Sequence, residues 1–381
     1  MSVADLLAGK NVCVCAGAGG VGKTTTSAAV ALGMAARGAR VAVVTIDPAR
    51  RLANALGLQA LENEPRRVQG EVLARSGVVL DGELWAMMLD PKRTFDELID
   101  KIAADPDQAT AIKANRVYRE LSTAVSGSQE FTAVSKLYEL AHERDFDLLV
   151  LDTPPARNAL DFFEAPGRLT AFLDGRALRT FLRPTGHGVR LLGQGAGALL
   201  GALSRLTGLD LIAELTSFFG LLGDMTADFS ARAAQVDRLL RAEETAFVLV
   251  STAQEEAIDE AIWFRGTLEQ RGLPFSGVVV NRFHHELAPD GNPGQLRWEL
   301  SGLLGEDLGD RVLANRADYR VLARRDADNL TRLQGALSGE RVLVVPQFDD
   351  NVHDIEGLLR VQRYLFASDS DRRALIDTLV A

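Results

Sequence analysis

Residues 14–26 read Val14-Cys15-Ala16-Gly17-Ala18-Gly19-Gly20-Val21-Gly22-Lys23-Thr24-Thr25-Thr26. From Gly17 the run fits G-x-x-x-x-G-K-[ST], the loop that cradles nucleotide phosphates. Upstream, residues 11–15 (Asn-Val-Cys-Val-Cys) have strand character, and downstream residues 23–37 have the alanine-rich pattern of a helix. Strand, glycine loop and helix in that order are the context the motif requires. Glycines let backbone N–H groups converge on an anion, and the helix start adds a positive dipole end. The candidate nucleotide contacts are therefore Gly17, Gly19, Gly20, Val21, Gly22, Lys23, Thr24 and Thr25. Lys23 can reach the β and γ phosphates, and the Thr24 hydroxyl can ligate Mg²⁺. The competing reading is a glycine-rich turn in an unrelated α/β protein. It has to treat the eight-residue pattern and both flanks as coincidence.

Outward from this loop, apolar runs at 40–46, 84–89, 146–151, 246–251, 277–280 and 341–345 alternate with helical patterns. That alternation predicts an α/β fold with a mostly parallel sheet covered by helices on both faces. Helical patterns fill 92–144, broken near Asp105-Pro106 and Ser126-Gly127-Ser128, and 156–241 carries helical periodicity without a convincing strand. The expected organisation is one domain over 1–381. Its core takes in about 8–90, 145–155 and 242–366, an all-helical subdomain is inserted as 91–144 and 156–241, and a closing helix covers 369–381. That acidic closing segment either caps the fold or meets a partner.

Composition narrows the function classes. The chain has 381 residues, 47% hydrophobic and 25% charged, which suits a globular protein with a sizeable core. A net charge of −10 disfavours nonspecific nucleic-acid binding. The two cysteines, Cys13 and Cys15, share one face of the first strand, without the spacing of a zinc site or an easy disulfide. They read as reduced core residues, and with no export-signal pattern at the start the expected location is the cytoplasm. The glycine-rich apolar run at 191–203 is bracketed by Arg190 and Arg205. It is too short to span a bilayer, which takes about 20 residues. It is either a core helix or a mobile helix lining an apolar groove, with Leu199, Leu200 and Leu203 on one wall. Phe218, Phe219, Leu222 and Met225 would then form the other wall.

Further polar residues stand at strand ends, where parallel-sheet proteins place their sites. Asp47 is a candidate to orient or deprotonate an attacking water, or else a helix cap, since Asp-Pro-Ala starts helices well. Asp152 ends an apolar strand and can serve Mg²⁺ directly or through water. Asn281 follows Gly-Val-Val-Val and carries an amide suited to an adenine edge, or is a turn residue.

The stretch from Gly17 to Thr25 resembles a deviant phosphate loop that usually reads Gly-Lys-Gly-Gly-x-Gly-Lys-Thr. The chain also carries Asp47-Pro48-Ala49, Asp152-Thr153-Pro154-Pro155-Ala156-Arg157, Asn281, and Val345-Pro346-Gln347-Phe348. With these it resembles the arsenite-pump and tail-anchored-protein-targeting ATPases, the anion-transporting ATPase family. The resemblance implies a P-loop NTPase fold, ATP and Mg²⁺ as ligands, and a dimer whose nucleotide state governs an apolar client. It implies catalytic roles for Asp47 and Lys23, metal ligation by Thr24 and Asp152, and base contacts from Asn281, Pro346 and Phe348. The partners it implies are a second copy or a paralogous ATPase, and an apolar helical client or membrane protein that brings a cytoplasmic chain to the membrane.

Several departures qualify that inheritance. Ala18 replaces the signature lysine that reaches the partner's nucleotide. Arg50 and Arg51 stand where targeting members carry His-Asn. No cysteine pair follows Asn281, so the intersubunit zinc clamp is not expected, and the arsenite-binding cysteines are missing too. His284 and His285 read as solvent-facing loop residues. The leading expectation is a dimeric ATPase of low basal rate. The alternative is a nucleotide-gated, weakly hydrolysing or non-hydrolysing subunit of a hetero-oligomer. A partition ATPase shares the loop but not the large helical insertions.

Overall fold

The structure is a computed structural model. It describes residues 1–47, 49–74, 76–116, 118–119, 128–143, 145–154, 217–218, 220–222, 225–287, 292–337 and 341–380. The chain divides into two units: Met1–Met88, Arg144–Ala159 and Arg241–Ala381 form the first, and Leu89–Glu143 with Leu160–Leu240 form the second.

The first unit is built on an eight-stranded sheet. Its strands are β1 (Val12–Ala16), β2 (Arg40–Thr45), β3 (Arg66–Arg67), β4 (Glu83–Met88), β5 (Leu148–Asp152), β6 (Thr245–Thr252), β7 (Phe275–Phe283) and β8 (Val342–Pro346). They lie in the order β3-β4-β2-β5-β1-β6-β7-β8. Every pairing is parallel except that of β3 with β4. The continuous apolar runs of β1, β5 and β6 are buried along their whole length, as strands covered on both faces must be. The predicted sheet is therefore present. The structure adds β3, whose two exposed arginines carry no apolar pattern.

The helices of this unit are α1 (Val3–Leu6), α2 (Lys23–Ala35), α3 (Arg51–Ala55), α4 (Gly70–Ala74), then α9 (Glu255–Gln270), α10 (Pro293–Leu304), α11 (Glu306–Ala336), α12 (Ile355–Phe366) and α13 (Asp369–Val380). α2 is buried almost all round, from Ala28 to Leu32 and at Ala35. Small side chains let it lie close to the sheet. The tail caps the fold: Arg372, 6% exposed, donates to the carbonyls of Tyr364, Ala367 and Met1.

The second unit contains α5 (Pro91–Ile102), α6 (Pro106–Ala114), α7 (Ser128–Glu143) and α8 (Met225–Arg241). Asp90 and Asp105 cap α5 and α6 by accepting from the Arg93 and Gln108 amides, with proline at the first helical position of each. Phe95, Ile99, Ile112, Tyr118 and Phe229 form its core, with the Phe95 and Tyr118 rings stacked at 5.6 Å. Phe218, Leu222 and Met225 belong to this same core, in line with the core alternative of the two that the sequence left open and against the groove wall. Leu199, Leu200, Leu203 and Phe219 lie outside the described residues, as does most of the expected insertion at 156–241. Among the described residues no helix is long and apolar enough to cross a membrane.

Candidate nucleotide site

Registration of the central strands gathers the polar residues. Thr45 of β2 and Cys15 of β1 both pair with Asp152 of β5, so three loops leave the sheet at one level. β1 leads to β2 on one side while β6, β7 and β8 lie on the other, which makes this the crevice where such sheets bind ligands.

The loop between β1 and α2 turns tightly at glycine. Gly17 has φ +153°, and a Cβ there would stand 1.9 Å from the Val250 carbonyl oxygen. Only glycine allows that approach of the loop to β6. Lys23 is buried, and its Nζ donates to the Gly17 and Ala18 carbonyls at 2.9 and 2.7 Å, closing the loop on itself. Burial holds its ammonium below the ordinary value, while Asp152, Glu260 and Asp47 pull the other way.

Asp152 is the centre of the site. Its Oδ2 accepts from the Thr24 hydroxyl at 2.7 Å and the Thr45 hydroxyl at 2.9 Å. The carboxylate is 2% exposed, and its Oδ1 is buried without a partner. Burial drives its carboxyl up to about 6, against the pull of both hydroxyls and Lys23. An unpartnered buried carboxylate oxygen beside a threonine hydroxyl is a donor set that fits Mg²⁺, which takes hard oxygen ligands and one or two protein groups. Among the described residues no cluster of three or more His, Cys, Asp or Glu could hold a metal.

Asp47 follows β2 with its Oδ1 accepting from the Ala49 amide at 2.9 Å and its Oδ2 3.7 Å from Arg51 Nη1. The residue that precedes α3 is Arg50, in the left-handed region at φ 56°, so Asp47 closes a local turn and does not cap that helix. Pro48 and residues 155–157 lie outside the described residues.

On the other side of the loop, Asn281 is buried and sits inside β7, not beyond its end as the sequence suggested. Its Nδ2 donates to the Val21 carbonyl at 2.9 Å, and a Cβ on Gly22, whose φ is +95°, would meet that same nitrogen at 2.2 Å. The amide therefore grips the phosphate loop itself. Pro346 ends β8, and Phe348 packs its ring toward Tyr364 and the Arg360 guanidinium. A cavity of about 510 Å³ opens beside the loop, lined by Ala18–Val21, the start of α9, Arg282, His284, Asp326 and Gln347. Gln347 faces this space; Pro346 and Phe348 do not line it.

Thr45, Glu260, Arg282, Arg325 and Asp326 were not singled out in the sequence. Thr45 is the hydroxyl before Ile46-Asp47, a signal that could have been used. The last two are hidden among many charges in α11. The histidines also correct the sequence reading. His284 places both its backbone amide and Nδ1 on the fully buried Asp326, at 3.0 and 2.8 Å. His285 lies against the Phe283 ring with its Nε2 buried and unpartnered, and burial pushes its imidazole down to about 4, with Asp326 opposing and His284 adding.

A profile of the anion-transporting ATPase family matches residues 10–296. The chain is similar to the ATPase get3 of Aspergillus terreus, 25% identical over 267 residues that cover 70% of this chain and 71% of that protein. It is 28% identical to the ATPase GET3 of Malassezia globosa over 274 residues, again 70% and 71% of the two. An uncharacterized protein of Streptomyces coelicolor is 29% identical over 294 residues, 76% of this chain and 65% of that one. With three quarters of its length under that profile, and the phosphate loop, Asp47, Asp152 and Asn281 all inside the match, the chain belongs to the anion-transporting ATPase family.

Proposed function

We propose that this family member is a Mg²⁺-dependent ATPase that works as a dimeric switch, coupling its nucleotide state to an apolar helical client or membrane-protein partner from the cytoplasm. The observation that carries the catalytic part is Asp152. One carboxylate oxygen is held by Thr24 and Thr45, and the other is buried and unpartnered at the level where β1, β2 and β5 end. Thr24 and Asp152 would hold Mg²⁺. Held there, it would supply positive charge against the phosphates. The glycines and the α2 start would bind the phosphates through backbone N–H groups, and Lys23 would exchange its two loop carbonyls for phosphate oxygens. Asp47, held by the Ala49 amide, would orient the attacking water.

The test is ATP turnover titrated with Mg²⁺. Asp152→Asn should raise the Mg²⁺ requirement severalfold or more, whereas Asp47→Asn should keep Mg·ATP binding and slow turnover by about 10²-fold. Coincident phenotypes would reject this division of roles. A second reading, a nucleotide-gated subunit with little turnover, is favoured by one feature: Ala18 puts a methyl group where the resembling loops carry a lysine. Turnover measured alone and with a lysine-bearing paralogue separates the two.

A further inference from the structure

The end of β7 is pinned at three of four successive residues. Asn281 donates its amide to Val21 of the phosphate loop at 2.9 Å. The Phe283 carbonyl accepts from the Gln347 amide at 2.9 Å. His284 is fixed to the buried Asp326 through two donors. Arg282, between these anchors, has φ 58°, a left-handed backbone that a residue with a Cβ disfavours. The β7–β8 register shifts across the same positions. Such strain persists only where the surroundings over-determine it, and it gathers at ligand sites.

The anchors leave Arg282 lining the same cavity as Ala18, Gly19, Gly20 and Val21 of the phosphate loop. The charges around that cavity decide what the side chain can do. Glu256 and Glu260 line it too and would repel a polyanion. Arg325 is spent on Asp326, with Nε and Nη2 both on Oδ1 at 3.1 and 2.7 Å. Lys23 is held by the loop carbonyls. Arg282 is exposed, and among the described residues no carboxylate pairs with it.

We propose that Arg282 binds the phosphate chain of the nucleotide, as the uncommitted cation of the cavity that the phosphate loop also lines. This rests on the reading of the cavity as a nucleotide site. Arginine suits the role because its fork binds phosphate oxygens two at a time.

Calorimetry of the full chain with ATP, ADP and adenosine tests it. Arg282→Gly removes the guanidinium and relieves the left-handed backbone, so the melting temperature should hold or rise. ATP and ADP affinity should fall about 10- to 100-fold, the range for a lost charge-assisted contact, with a shallower dependence on salt. Adenosine affinity should not change, and Arg282→Lys should recover part of the loss. An Arg282→Gly protein that binds ATP like the wild type overturns the proposal, and so does an equal loss for adenosine, which would place the side chain on the base or sugar. Failure of the wild-type chain to bind ATP at all would instead bring down the functional reading, and this proposal with it.

Discussion

Buried Asp152 and half-buried His285 oppose each other across the same pH window. Asp152 has its carboxyl raised from 3.8 to about 6, so the folded chain holds a proton there that the unfolded chain has lost. Its contribution is therefore gained as pH falls through 6 and withdrawn as pH rises again. His285 is lowered from 6.5 to about 4, so the folded chain holds it neutral where the unfolded chain takes up a proton. Its contribution is present above 6.5 and lost on acidification toward 4. Each shift is worth on the order of 2–3 kcal/mol, so in the nucleotide-free protein the two largely cancel. Relative to wild type, His285→Phe should gain stability between pH 7.5 and 5, and Asp152→Asn should lose it. Denaturant melts at several pH values check this, and parallel pH profiles for all three proteins would refute it. Lys23→Ala should behave differently, because it removes both a phosphate contact and the clasp on the Gly17 and Ala18 carbonyls. Calorimetry should then find ATP binding weakened at least 10-fold, one charged contact being worth about 1.5–3 kcal/mol. Unchanged affinity would remove the phosphate-loop assignment.

Among the elements, β7 is the one whose ending shapes the site. From within that strand the Asn281 side chain holds Val21, 260 residues away in the chain. Asn281→Ala should strip the Val21 carbonyl of its donor, cost about 1–3 kcal/mol, and speed amide exchange of residues 19–22 more than that of β1. Exchange that rises evenly over the whole sheet would mean a merely structural bond. The same strand marks the limit of what the sequence made legible. Fully buried parallel strands write themselves as apolar runs, so β1, β2, β5 and β6 were readable, and the break read at Asp105-Pro106 is where α5 gives way to α6. The phosphate loop was readable because its chemistry demands a fixed local spacing. Arg282 and the two histidines were not, because polar residues at a strand end look like loop. What they do depends on Asp326, a carboxylate 42 residues away inside a charged helix whose other acids look the same. β3 escaped for a related reason: its two arginines carry no apolar pattern, and Arg67 meets β4 partly through an ion pair with Glu83 that only the fold creates.

At the scale of the whole molecule, the functional proposal needs two chains, and each carries a net charge of −10 that opposes association. Self-association should therefore tighten as salt rises toward about 0.2 M, since screening acts on exactly that repulsion. Sedimentation at low and moderate salt measures it. The rate of the assembled protein then turns on Ala18. The γ-phosphoryl gains charge on its oxygens as it leaves, and a cation supplied there from outside the site can be worth 10³-fold or more. A methyl group supplies nothing. The turn after β2 offers no simple substitute: Arg51 lies on Asp47 at 3.7 Å, and Arg50 is exposed in a left-handed turn. Arg282 in the bound state affects affinity, hence KM, whereas a lysine in trans would act on kcat. The wild type should accordingly turn over slowly, and Ala18→Lys should raise kcat at least severalfold with little change in KM. Because that charge would come from a partner, the gain should appear only at protein concentrations where the dimer forms. A gain independent of concentration would place the new lysine in its own site. No gain, together with lost turnover in Arg50→Ala or Arg51→Ala, would show that an arginine of the same chain already does the work and that the missing lysine limits nothing.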